Sequence, residues 1–114
     1  MAVRKKGRRK LIWNGELYAW YIELDSDSPY YILNVCSDDK NTVIACPLGM
    51  QIPYIISKGN SFQGKKTSGV WERYRLPFDV PEIITPGFVS EIIAWVTEGT
   101  GAEQLAWNGK DILL

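Results

Sequence analysis

The sequence contains no histidine, and this absence removes a large share of enzyme chemistry. Histidine is the commonest general base near neutral pH and the commonest ligand of transition metals. Catalytic triads that use histidine and zinc sites that contain it are therefore excluded. The two cysteines, Cys36 and Cys46, do not make a metal site by themselves, so we expect neither a metal nor another cofactor.

Two cysteines are also too few for a disulfide framework, so a hydrophobic core has to hold the fold together. No apolar run is long enough to span a membrane. The basic N-terminus is not followed by the apolar stretch and small-residue cleavage site of a secretory signal. These absences predict a cytoplasmic protein that does not insert into a membrane.

Charge is distributed unevenly although the net charge is zero. Six of the 13 basic residues fall within the first ten positions, whereas all 13 acidic residues come later. We expect residues 1–8 to form a disordered basic arm and residues 9–114 to form a single domain. Such an arm raises nucleic-acid or anion binding as an alternative function. The basic residues that could make these contacts are Arg4, Lys5, Lys6, Arg8, Arg9, Lys10, Lys65 and Lys66.

The tripeptide Trp-Asn-Gly occurs twice, at residues 13–15 and 107–109, with apolar residues on both sides of each copy. Asn-Gly favours a two-residue β-hairpin, because a type I′ turn needs positive φ at both central residues. Apolar runs between turn-forming residues indicate further strands. The predicted strands cover residues 10–13, 16–24, 30–37, 42–46, 54–57 and 70–76, with a hairpin over 104–114 and a polar loop over 58–69.

One helix is predicted over residues 86–98. Thr85 suits the N-cap, and Pro86 suits the first helical position, where its missing N–H costs nothing. Gly99 is placed to cap the C-terminal end. At helical spacing the apolar residues share one side, which indicates packing against a sheet. These residues are Phe88, Val89, Ile92, Ile93, Trp95 and Val96.

The pattern as a whole predicts an α+β fold. We expect an antiparallel, mostly meandering sheet of five to seven strands, which can be strongly curved, with the amphipathic helix packed on one face. A turn at residues 38–41 would pair Cys36 with Val43 and Cys46 with Leu33. Paired residues share a face, so the two sulfur atoms fall on opposite faces and two reduced thiols are expected.

Two sequence patterns could be taken for catalytic motifs. The carboxylate pairs Asp25/Asp27 and Asp38/Asp39 fall in short turns, where aspartate is favoured because it bonds its own backbone. Residues 59–66 nearly match the phosphate-binding pattern G-x-x-x-x-G-K-[ST], but lysine replaces the hydroxyl residue and no helix follows. We therefore expect turns and a lysine-bearing hairpin loop at these places, and no enzyme.

The second and third predicted strands are apolar on both faces, but only one helix is available to cover them. The C-terminal hairpin or curvature of the sheet could hide the second face. Otherwise that face is an interface, with a protein partner or, most simply, in a two-fold homodimer. The residues favoured for this surface are Leu17, Tyr21, Tyr31 and Leu33.

The opening stretch resembles small uncharacterised bacterial proteins that begin with basic residues, a short apolar strand, Asp/Asn-Gly and Tyr-x-Trp. The matching residues are Arg9, Lys10, Leu11–Trp13, Asn14, Gly15, Tyr18 and Trp20. The resemblance implies a bacterial source and an initial hairpin. It implies no activity, ligand or site residue.

These observations favour a non-enzymatic binding or regulatory domain that acts through a protein partner or self-association. The first alternative is an accessory nucleic-acid binder that uses the basic arm, and the second is a small enzyme. A protein partner predicts an exposed apolar patch, and nucleic acid predicts a positive face that joins the arm to Lys65 and Lys66. An enzyme predicts a deep pocket with perturbed carboxylates.

Overall fold

The computed structural model describes residues 8–24, 31–67, 69 and 71–105. The elements are β1 (Arg9–Trp13), β2 (Glu16–Leu24), β3 (Tyr31–Ser37), β4 (Val43–Pro47), β5 (Tyr54–Ser57), β6 (Ser61–Phe62), β7 (Lys65–Lys66), β8 (Glu72–Arg75), α1 (Pro86–Glu98) and β9 (Gln104–Leu105). Seven strands form one open antiparallel sheet in the order β1-β2-β3-β4-β5-β8-β9, and β6 pairs with β7 in a separate ribbon. The predicted α+β class, with an antiparallel meander and one helix, is confirmed.

Asn14 and Gly15 join β1 to β2 in a two-residue turn. Their φ angles are 52° and 80°, the positive values of a type I′ turn, and Trp13 pairs with Glu16 across it. A Cβ on Gly15 would have no heavy atom within 4 Å apart from its chain neighbours, so there is room for a side chain. The position therefore favours glycine because of its positive φ angle. The first predicted hairpin is confirmed, whereas the second Asn-Gly turn lies outside the described residues.

The polar loop predicted over residues 58–69 contains the β6–β7 ribbon. Gln63 and Gly64 turn the ribbon with φ angles of 50° and 76°. Phe62 is buried, and its ring stacks on that of Tyr74 at 3.9 Å between centroids. Gln63 Nε2 donates to the carbonyl oxygen of Trp95 at 3.2 Å, so the ribbon lies against the end of α1.

Helix α1 has the predicted bounds, and both of its ends have a physical cause. Thr85 Oγ1 accepts a hydrogen bond from Phe88 N at 3.2 Å. Gly99 N donates to the carbonyl oxygen of Trp95, but its φ of −71° is not left-handed. A Cβ on Gly99 would stand 2.5 Å from that oxygen and 2.9 Å from Gln63 Nε2. Gly99 therefore caps the helix as predicted, and glycine is favoured there because the neighbouring atoms approach closely.

The helix-side face of the sheet, the one under α1, holds the main core. Ile92 and Val89 are fully buried in one cluster with Leu33 and Val35. Trp95 is half-buried and packs against this core. It also meets Phe62 and Phe78 edge-on at centroid distances of 5.6 and 6.3 Å. The prediction that Trp95 is buried is therefore wrong in extent, since part of the side chain stays accessible.

The far face, opposite α1, is closed at one end only. Ala45, Tyr54 and Ile56 form a small buried cluster there, with Met50 and Leu105 packed against it. Towards β1 and β2 the same face becomes open, with residues 10 and 12 exposed and residues 17 and 19 half-buried. The helix-side face is therefore sealed beneath α1, whereas the far face is partly open around β1 and β2.

The cysteine register is as predicted. Cys36 pairs with Val43 and Cys46 with Leu33, and both thiols are free. Cys46 belongs to the helix-side core, where burial raises the pKa of its thiol to about 12. Cys36 is half-buried and lies on the far face.

Candidate functional site

A hollow of about 540 Å³ opens on the far face, where β1, β2 and β3 lie side by side. Its floor is apolar and comes from Leu17, Ala19 and Cys36. The polar residues around it are Arg8, Lys10, Ser37, Asp38 and Lys40. We refer to this concave surface as the far-face hollow.

Strand pairing brings the members of the hollow together. Lys10 pairs with Ala19, and Ala19 pairs with Cys36, so the three side chains form one row across the sheet. Arg8 precedes β1, and its guanidinium carbon lies 4.7 Å from the centroid of the Tyr21 ring. Lys40 adopts a φ of 65° in the β3–β4 turn, which places a third cation at the hollow.

The hollow carries more positive than negative charge. Its lining contains three cations and one carboxylate, that of Asp38. Within the described part of the chain, no ion pair neutralises Arg8, Lys10 or Lys40. Lys10 and Lys40 can therefore interact with an anion without first giving up an ion-pair partner, and the same holds for Arg8, whose guanidinium lies over the Tyr21 ring.

Asp39 holds the turn beside the hollow. Its Oδ1 accepts hydrogen bonds from Ser37 Oγ at 2.7 Å and from Asn41 N at 3.0 Å. The bond from Ser37, followed by that from Asn41, lowers the pKa of Asp39. A carboxyl group stabilised in its charged form is a poor proton donor near neutral pH, so this supports a structural role. Asp25 and Asp27 lie outside the described residues.

The other predicted basic residues do not line the hollow. Lys65 and Lys66 are exposed on β7, at the ribbon that packs against α1. Arg9 lies on the helix-side face, with its guanidinium carbon 5.5 Å from the centroid of a Trp20 ring. Residues 4–6 lie outside the described residues. Sequence reasoning missed Lys40, because only the fold of the β3–β4 turn brings it close to β1.

A second candidate surface lies where the β2–β3 hairpin extends past β1. The pairing of β1 with β2 ends at Trp20. Beyond it Ile22, Leu24 and Tyr31 are 43%, 58% and 56% exposed. Leu24 pairs directly with Tyr31, and Ile22 lies two residues before Leu24, so all three share the helix-side face. We refer to these three residues as the hairpin patch.

The four residues predicted to form an interface do not make one surface. Leu33 is fully buried under α1, so its inclusion is wrong. Leu17 and Tyr21 are half-buried on the far face, where Leu17 forms part of the hollow. Tyr31 alone belongs to the hairpin patch. The prediction combined both faces because an apolar run gives no sign of which alternate positions the helix covers.

The described residues contain no helix long and apolar enough to cross a membrane. Among the same residues, no group of three or more cysteine or carboxylate side chains could hold a metal ion. No family model matches the chain, and no curated protein or solved structure is significantly similar to it. The hairpin patch and the far-face hollow are the two candidate functional surfaces of the described residues.

Proposed function

We propose that the chain is a non-enzymatic bacterial binding domain that acts in the cytoplasm through a protein partner, in the simplest case a second copy of itself. The observation that supports this proposal is the hairpin patch, whose three apolar side chains are between 43% and 58% exposed. Contiguous apolar surface of this kind is typical of interaction sites. The three side chains of the hairpin patch lie where the pairing of β2 with β3 continues beyond the pairing of β2 with β1.

A second copy is the simplest occupant because the hairpin patch is uncharged. Two such patches can meet across a two-fold axis without bringing like charges together. The neighbouring acid, Glu23, lies on the other face of the hairpin, where Asn34 Nδ2 donates to its Oε2 at 3.2 Å. Small contacts make weak complexes, so we expect association at micromolar concentration.

Sedimentation velocity across the micromolar range tests this proposal. We expect the sedimentation coefficient of the wild type to rise with concentration. The coefficient of Leu24→Lys should stay at the value of a monomer, because docking would remove water from the new ammonium group. Ile83→Lys is the matched control, since Ile83 is 77% exposed and lies outside the hairpin patch. A wild type that stays monomeric throughout would contradict docking of a second copy. Equal dissociation of both variants would contradict docking at this patch.

Nucleic-acid binding is the alternative, and the cations of the far-face hollow are the observation in its favour. Phosphate contacts to Lys10 and Lys40 would weaken as salt is added. A titration with single-stranded DNA at two salt concentrations tests it, with Lys10→Gln and Lys40→Gln beside the wild type. Salt-independent affinity, or affinity unchanged in both variants, would remove this alternative. A small enzyme, the third class, has no such observation in its favour.

A further inference from the structure

The far-face hollow has the size and lining of a small-molecule site. Its volume of about 540 Å³ falls within the range of roughly 300–1,000 Å³ that ligand pockets occupy. Such pockets have a mostly apolar lining with a few polar groups that converge on the ligand. Here the floor of Leu17, Ala19 and Cys36 is the apolar part, and the surrounding cations are the polar part.

The excess of positive charge in the hollow favours a negatively charged ligand. Arg8, Lys10 and Lys40 have no ion-pair partner among the described residues, and Asp38 is the single acid in the lining. Long basic side chains can lay their methylene groups along an apolar floor and keep the charged end in water. A negative group at the rim would therefore meet up to three cations while the rest of the ligand lies on the floor.

We propose that the far-face hollow binds a small amphipathic anion, a carboxylate or sulfonate attached to an apolar group. An inorganic anion would leave the apolar floor wet, and a neutral apolar molecule would leave the cations unused. The site lies on the face opposite the hairpin patch and does not depend on the proposed association.

Single-stranded nucleic acid suits the hollow less well. Base binding without sequence preference relies on exposed aromatic rings. The aromatic residue in the lining is Tyr18, which is fully buried and offers no exposed ring. The Arg8 guanidinium already lies over the ring of Tyr21 at 4.7 Å. Phosphate contacts alone would also leave Leu17 and Ala19 without a role.

A fluorescence titration with 8-anilinonaphthalene-1-sulfonate tests the proposal, because this sulfonate carries apolar rings and brightens when it leaves water. We expect saturable binding to the folded protein. Lys10→Gln and Lys40→Gln should each weaken binding by about threefold, as expected for the loss of a partly exposed charge contact. Lys65→Gln, a lysine outside the hollow, and Leu24→Lys, in the hairpin patch, are the matched controls and should leave the affinity unchanged.

Cys36 reports whether the ligand occupies the hollow. Decanoate should displace the fluorescent probe. It should also slow the alkylation of Cys36 by iodoacetamide, which peptide mass spectrometry measures. Decanamide, which has the same chain without the charge, should do both more weakly. Probe affinity unchanged in both lysine variants, equal effects of decanoate and decanamide, or no protection of Cys36 would overturn the proposal. Stronger displacement by oligothymidylate than by decanoate would also overturn it, in favour of nucleic acid.

Discussion

The two faces of the sheet come from the same strands but differ in how far their side chains are buried. On the helix-side face, Leu33 and Val35 of β3 are fully buried beneath α1. Between and beside them on the same strand, Ile32, Asn34 and Cys36 are only half-buried on the far face. One helix can seal one face, so neighbouring residues on one strand divide between core and accessible surface.

The contrast within the far face is also informative. Around β4, β5 and β8 that face is closed by a second cluster of Ala45, Tyr54 and Ile56. Around β1 and β2 it is the far-face hollow, with charged side chains above a small apolar floor. The first region is part of the packed structure, whereas the second leaves a concave, accessible surface. The following substitutions test whether this division is real.

Truncating a side chain should lower the free energy of unfolding far more beneath α1 than at the hollow. Ile92→Ala deletes a fully buried side chain and should lower the free energy of unfolding by about 2–5 kcal/mol, because a cavity is left behind. Leu17→Ala removes a half-buried side chain, and we expect a loss of about 1 kcal/mol. Urea unfolding measures both values, and equal losses would show that the hollow is part of the core.

Changing the turn that positions β1 should have an intermediate effect. Gly15 has a φ of 80°, a conformation that a β-branched residue resists, so Gly15→Val should cost about 1–3 kcal/mol. Gly15→Asn is the control, since asparagine tolerates positive φ and should cost clearly less. Equal stability of the two variants in urea unfolding would mean that the turn does not constrain β1.

Alkaline pH should reveal how well the helix-side face excludes water. Burial raises the pKa of Cys46 from 9.0 to about 12. The unfolded thiol therefore loses its proton first, and the stability that is present below pH 9 is lost as the pH rises towards 12.

The wild type should lose about 1.4 kcal/mol more than Cys46→Ala between about pH 8 and about pH 10. Urea unfolding at the two pH values measures both losses. The variant is the control, because it retains every other group that titrates at alkaline pH. An equal loss in both proteins would show that Cys46 ionises as readily in the fold as outside it.

Local chemistry made much of the fold predictable. Asn14-Gly15 specifies a turn through φ, and Thr85-Pro86 begins α1 through a cap and a fixed backbone angle. The pairing of Cys36 with Val43 followed from the length of the intervening turn. Each of these features depends on residues close together in the sequence.

The features that were missed depend on distant contacts. Leu33 was placed on an accessible surface because its apolar strand does not say which face the helix will cover. Lys40 joins Arg8 and Lys10 only after three strands have paired. A Cβ on Gly99 would meet Gln63 as well as the Trp95 carbonyl oxygen, and the sequence did not show that the residue 59–66 hairpin would lie against the end of α1. The candidate site was therefore less predictable than the strands that form it.

Native-state thiol alkylation tests the contrast between the two faces most directly. Cys36 and Cys46 lie on neighbouring strands, one half-buried at the hollow and the other fully buried under α1. The folded protein is treated with limiting iodoacetamide near neutral pH, and peptide mass spectrometry measures the labelling of each thiol. We expect Cys36 to be labelled in the folded protein. Cys46 should be labelled only as fast as the protein unfolds. Comparable rates for the two thiols, or faster labelling of Cys46, would contradict the account of a helix-side face that is sealed beneath α1 and a far face that is open at the hollow.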